Sequence, residues 1–184
     1  MRIFIIAGED SGDLHGSKVV ERLLEMNPSL EIRGMGGDKM QAAGMNLWRH
    51  YADLAVMGIG EVLKKIFTFK RLLDECAEEI KSFSPDKVLF IDYGGFNLRM
   101  AKRCREMGLN THYYILPKVW AWNEKRVKKI AEYVDSAYVI FPFEESYFRA
   151  RGVNAKYVGH PVKERIDEFL IDHKKIKRDT QQIA

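Results

Sequence analysis

Apolar residues along this chain follow two alternating rhythms. Short, near-continuous apolar runs at 2–7, 87–91, 111–116 and 136–141, with weaker ones at 30–33 and 155–158, predict strands buried on both faces of a sheet. Between them the spacing lengthens to three and four residues, which predicts helices at 13–26, 61–83, 95–107, 123–132 and 143–151. The second helix is the clearest: Val62, Ile66, Phe69, Leu73, Cys76, Ile80 and Phe83 share one face, and Lys, Arg and Glu occupy the other. Ser84-Pro85 ends it, because the residue before a proline is pushed away from helical backbone. Strand alternating with helix predicts an α/β fold, a doubly wound, open parallel sheet.

Composition agrees with one ordinary domain: 184 residues, 46% hydrophobic and 30% charged, are enough to bury a core. The net charge of +4 is mild and tilts only modestly toward phosphates, nucleic acid or anionic headgroups. The two cysteines, Cys76 and Cys104, fall on different predicted helices without a Cys/His cluster nearby, so free thiols in a reducing compartment are expected and no metal site. The first apolar run stops at Gly8-Glu9-Asp10, too early for a secretion signal, and no stretch approaches the roughly 20 apolar residues of a spanning helix. A cytoplasmic location is expected, with contact to a membrane surface left open. After "GHPV" (159–162) the polar tail "IDHKKIKRDTQQIA" turns apolar at its last two residues, so the chain is expected to continue into a further domain.

In open α/β sheets, ligands gather beyond the carboxyl ends of the strands. The first such tip, "GEDSGD" (8–13), carries glycines at Gly8, Gly12 and Gly16, a spacing that fits neither a dinucleotide turn nor a P-loop. Glu9, Asp10 and Asp13 stand where a phosphate would meet repulsion, which favours the hydroxyls of a sugar or polyol. Capping of the following helix by Ser11 or Asp13 is the equal alternative for those two residues. "IDYGGFN" (91–97) places Asp92 directly after an apolar run, where partial desolvation tunes a carboxylate toward general-base work. A plain cap of the Gly94-Gly95 turn explains Asp92 equally well. In that turn glycine lets the backbone approach a ligand, and Asn97 can bond either turn or ligand.

"PKVWAWNEKRVKK" interleaves Trp120 and Trp122 with Lys118, Lys125, Arg126, Lys128 and Lys129, a pattern that suits stacking and phosphate contact but also half-buried tryptophans beside a solvated helix face. The segment 54–70 reads as a core helix first and as an interfacial membrane contact second. His160, in a Gly-His-Pro turn, reads as structural.

Taken in order, "AGEDSGDLHG", "LAVMGIGEVL", "IDYGGFN", "PKVWAWNEKRVKKI", "FPFEESYF" and "YVGHP" resemble the amino-terminal half of the lipid-A-disaccharide synthases, over residues 1–162. The resemblance implies one Rossmann-like half of a two-domain, GT-B type inverting glycosyltransferase. Residues 1–162 would then be the acceptor-side domain and 163–184 a hinge helix and linker toward a nucleotide-sugar domain. It implies a UDP-2,3-diacylglucosamine donor, a 2,3-diacylglucosamine 1-phosphate acceptor, a β-1,6-linked product and no cofactor. It assigns the general base to Asp92, with Glu9, Ser11 and Asn97 lining the catalytic cleft. Substrate contacts are further expected at Gly8, Gly12, Met57, Lys118, Trp120 and Arg126. The expected setting is the cytoplasmic face of the inner membrane, on an anionic surface, with no nucleic acid partner and a homo-oligomer left open. The chain departs from the family where Asp10 replaces a frequent Ala, and where Gly94 and Gly95 replace a second acidic or Pro residue. Alone, the 184-residue chain is expected to turn over little or nothing. Two rival readings are a nicotinamide-dependent oxidoreductase domain, prompted by the strand–glycine–helix order and Arg33, and a non-enzymatic membrane or polyanion module built on the basic segments 64–70 and 125–129. Glycine spacing speaks against the first.

Overall fold

The computed structural model describes residues 1–53, 62–119 and 125–163, with side chains of the helix that opens at Val62 described from Phe67 onward. Met57, Trp120 and Trp122 lie outside the described residues, as does the tail beyond Lys163. Seven strands form one parallel sheet: β1 (Arg2–Ala7), β2 (Glu31–Gly36), β3 (Asn46–His50), β4 (Lys87–Ile91), β5 (Asn110–Tyr114), β6 (Ser136–Val139) and β7 (Ala155–Tyr157). The flanking helices are α1 (Asp10–Met26), α2 (Asp38–Ala42), α3 (Val62–Phe83), α4 (Gly94–Glu106), α5 (Lys125–Tyr133) and α6 (Pro142–Arg149).

Strand order is β3-β2-β1-β4-β5-β6-β7. The chain winds outward from β1 to one edge, returns to β4 beside β1, and winds outward to the other edge. The doubly wound expectation is therefore met, and the winding reverses between β1 and β4, where open α/β sheets place their ligand crevice.

Why this sheet forms is visible in β1. Its side chains alternate between two apolar layers, as the pleat demands. Phe4 and Ile6 pack with Leu72, Cys76 and Ile80 of α3 and Met100, Ala101 and Cys104 of α4. Ile3, Ile5 and Ala7 join Val20 of α1 and Met40 of α2 on the opposite face. Both cysteine thiols are free and buried, and burial pushes them up, Cys104 to about 12, so neither is a ready nucleophile.

Two elements were not expected from the pattern. The helix α2 has five residues, too few to display a period. The edge strand β3, Asn-Leu-Trp-Arg-His, is only half-buried and shows no clean alternation. What holds α2 in place is Asp13 of α1. Its carboxylate is 1% exposed and accepts backbone N–H bonds from Gly37 (2.7 Å), Met40 (3.0 Å) and Lys39 (3.2 Å). Asp13 thus caps a helix, as one sequence reading allowed, but the helix is α2 rather than its own.

Removing that acceptor leaves two buried donors, the N–H groups of Gly37 and Met40, and the part-buried N–H of Lys39 unpaired. Asp13→Ala is expected to destabilise the chain by about 3 kcal/mol, given roughly 1–3 kcal/mol for each stranded buried polar group and partial relaxation. Urea denaturation measures it; a loss below about 0.5 kcal/mol, the size of an ordinary surface substitution, would contradict the capping role.

Candidate active site

Parallel pairing sets Ala7 of β1 opposite Ile91 of β4. The residues that follow each strand, Gly8-Glu9 and Asp92-Tyr93, therefore emerge side by side at the reversal of the winding. The Asp92 carboxyl is half-buried there. Burial raises its pKa to about 6, and the Glu9 carboxylate beside it adds to the rise by charge repulsion and by sharing a proton. A backbone bond at Tyr93 and the Lys118 ammonium pull in the other direction but do not cancel the rise. A carboxylate poised near 6 is mostly ionised at neutral pH and still basic enough to take a proton.

Backbone geometry aims this carboxyl. Asp92 (φ 47°) and Tyr93 (φ 49°) both adopt left-handed backbone, an arrangement that costs a non-glycine residue about 1–3 kcal/mol. The surroundings hold it. The Asp92 N–H donates to the Tyr114 carbonyl of β5 at 3.1 Å. Its carbonyl accepts from the Tyr113 hydroxyl at 2.7 Å and from Asn97 Nδ2 at 2.8 Å. Tyr93 then caps α4, its carbonyl receiving the N–H groups of Phe96 and Asn97. The Tyr93 ring stacks on Phe96 and lies against the backbone of Gly8, where any Cβ would stand 2.1 Å from the ring. Gly8 is glycine because Tyr93 fills its side-chain space.

The expected site residues thus divide. Glu9, Ser11, Asp92 and Lys118 come together: Ser11 Oγ donates to Glu9 Oε1 at 3.2 Å, and Lys118, exposed at the β5 tip, holds its ammonium 6.0 Å from the Phe141 ring while acting on Asp92 through its charge. Asn97, expected at the ligand, is instead fully buried. Its amide reaches carbonyls of Ile91 (3.2 Å) and Asp92, and Ile6 more distantly (3.4 Å), so it knits the two strand tips from beneath. Gly12 is buried, and a Cβ there would press on Ala7 at 3.2 Å; close packing of α1 on β1 explains it. Arg126 lines a separate recess with Gly94 and Gly95.

The acid-rich turn needs a correction as well. Of its three carboxylates only Glu9 faces Asp92. Asp13 caps α2, and exposed Asp10 is bound to Lys39 at 2.6 Å, which holds its carboxyl below the usual range. Tyr93 and Tyr113 are the positioning residues that sequence reasoning missed. Tyr93 sat next to a recognised glycine pair, whereas Tyr113 reads as one more apolar strand position. Among the described residues no group of three or more His, Cys, Asp and Glu is placed to hold a metal ion, and no helix is long and apolar enough to cross a membrane.

A lipid-A-disaccharide synthetase family model matches residues 3–184. The lipid-A-disaccharide synthase of Coxiella burnetii (strain Dugway 5J108-111) is 40% identical over 160 residues, covering 87% of this chain and 43% of that protein. The Geobacter sulfurreducens enzyme of the same name is 42% identical over 165 residues, covering 90% and 43%. The chain therefore spans less than half the length of these curated relatives. Among solved structures, UDP-GlcNAc 2-epimerase from Neisseria meningitidis bound to UDP-GlcNAc superimposes with a TM-score of 0.66 at 11% identity, over 96% of this chain and 51% of that one. MurG from Acinetobacter baumannii gives 0.57 at 9% identity, over 86% and 45%. These distant likenesses show the fold, the Rossmann-like doubly wound unit of GT-B proteins. On the family match across nearly its whole length, this chain belongs to the lipid-A-disaccharide synthetase family.

Proposed function

We propose that residues 1–162 form the acceptor-side domain of an inverting glycosyltransferase that moves 2,3-diacylglucosamine from UDP to the 6-hydroxyl of 2,3-diacylglucosamine 1-phosphate. Residues 163–184 then lead toward a nucleotide-sugar domain. The observation that carries this reading is the Asp92–Glu9 carboxyl pair at the switch point of a chain in this family. Asp92 accepts the proton of the 6-hydroxyl as that oxygen attacks the anomeric carbon. The bond to UDP breaks from the opposite face, its electron pair leaves with the diphosphate, and the proton stays on Asp92 until it exchanges with water. Glu9 keeps Asp92 basic through its charge and, oriented by Ser11, accepts from a neighbouring sugar hydroxyl. Lys118 offsets part of the crowded negative charge. Glu9 also argues against the nicotinamide reading, since it stands where a pyrophosphate would have to lie.

The acyl chains of such an acceptor reside in a bilayer. Phe67, 70% exposed on α3, and the basic side chains of α5 fit contact with an anionic leaflet, where each nearby cation contributes about 1 kcal/mol. The reading therefore places the protein peripherally on the cytoplasmic face of the inner membrane.

General-base catalysis supplies roughly 10²–10⁴-fold, so Asp92→Asn in a full-length protein carrying this sequence is expected to lower kcat by that factor. Circular dichroism should show the fold retained, because Asn tolerates left-handed backbone better than most residues. Steady-state kinetics decide it: near-normal kcat in Asp92→Asn, with loss of turnover in Glu9→Gln, would reverse the two roles.

The pH profile follows from the same pair. Asp92 works only when ionised, and its raised pKa puts half-ionisation near 6. The expected kcat climbs with pH through about 6 and levels off above about 7, one unit past the midpoint. A rate already flat from pH 5 upward would remove Asp92 as the base.

A further inference from the structure

Helices α4 and α5 pack side by side and leave a recess of about 220 Å³ that begins two residues past Asp92. Arg99 and Lys102 of α4 line it, with Arg126 and Lys129 of α5 opposite and Gly94 and Gly95 at its end nearest Asp92. Among the described lining residues there is no carboxylate. Lys102 pairs with Glu106 at 3.6 Å in an exposed i,i+4 contact, a weak type of ion pair.

Arg99, Lys102 and Lys129 are exposed helix positions, and four cations around one recess repel each other. Arg99 is nonetheless pre-oriented: its Nη1 donates to the Gly95 carbonyl at 2.6 Å and its guanidinium stands 5.3 Å from the Phe69 ring. Gly95 adds a separate observation. A Cβ there would meet nothing within 4 Å, and its φ is not positive, so neither packing nor backbone conformation calls for glycine. Lacking a side chain, Gly95 leaves its part of the recess lining open.

We infer that this recess binds the phosphate monoester of the acceptor sugar, holding the hexose by its phosphate end while the 6-hydroxyl lies against Asp92. A monoester carries a charge of about −1.5 to −2 at neutral pH, which four cations match, and guanidinium forks fit its oxygens in pairs. The inference rests on the acceptor reading above and adds to it the site of the anionic group. An anionic lipid headgroup offers related phosphate chemistry with a single charge.

The test is ¹⁵N–¹H NMR of the 184-residue chain titrated separately with glucosamine 1-phosphate, glucosamine, inorganic phosphate and phosphatidylglycerol vesicles. Glucosamine 1-phosphate is expected to shift the amides of Gly94 and Gly95 saturably together with those of Glu9 and Asp92. Lys129→Gln should weaken that binding about tenfold, the effect of losing one charge-assisted bond, and Lys129→Arg should restore it. Glucosamine should reach Glu9 and Asp92 alone. If the sugar phosphate moves Glu9 and Asp92 but not the recess, the inference falls and the catalytic reading stands. If it moves neither, both fall. A recess that answers to vesicles but not to the sugar phosphate belongs to a lipid headgroup, which overturns the assignment. One that answers to inorganic phosphate as strongly, with Asp92 silent, holds an adventitious ion only and overturns it equally.

Discussion

Parallel pairing of β1 with β4 is the constraint on which the rest depends. Because Ala7 and Ile91 are register partners, the turns after the two strands must leave the sheet together, and the carboxyls of Glu9 and Asp92 cannot avoid one another. Burial, with repulsion from Glu9 added, lifts Asp92 to about 6. The pairing itself is secured by apolar burial on both faces, through Phe4 and Ile6 on one side and Ile3, Ile5 and Ala7 on the other. A slip of one residue would exchange those two sets and separate the carboxyls.

The site carries stored cost. Two successive left-handed residues and a pair of crowded carboxyls each work against folding. Four features over-determine the arrangement: the Tyr113 hydroxyl, the Asn97 amide, the Tyr114 carbonyl, and the Tyr93 ring lying against Gly8. Each belongs to an element anchored in the core, since Tyr113 and Asn97 are fully buried and Phe96, beneath the Tyr93 ring, is too. The strain is thereby confined to one turn, with the direction of the Asp92 side chain as its result.

Much of this was legible in the order of residues. The apolar runs of β1 and β4 marked two central strands, and an aspartate immediately after such a run marked the crevice. Other parts were not legible, for identifiable reasons. Asp13 looked like a member of the acidic turn because its true partners, Gly37, Lys39 and Met40, lie 24 to 27 residues on. On sequence alone Asn97 could bond either the turn or a ligand; only the helix phase of α4 turns it beneath the strand tips. Arg99 and Lys102 were solvated charges in one dimension, and it takes the packing of α5 on α4 to bring Arg126 and Lys129 opposite them. The strand β3 escaped because an edge needs no apolar alternation to pair.

The central claim is that the shared turn geometry, through burial and the Glu9 charge, makes Asp92 a weak acid. Carboxyl ¹³C NMR of the aspartate-labelled chain, with Asp92→Asn to assign the resonance, reads this directly. The account predicts that Asp92 titrates near pH 6, and that Glu9→Gln moves its midpoint down toward the ordinary aspartate value without abolishing the rise due to burial. An Asp92 midpoint near 4, the ordinary aspartate value, in both proteins would contradict it.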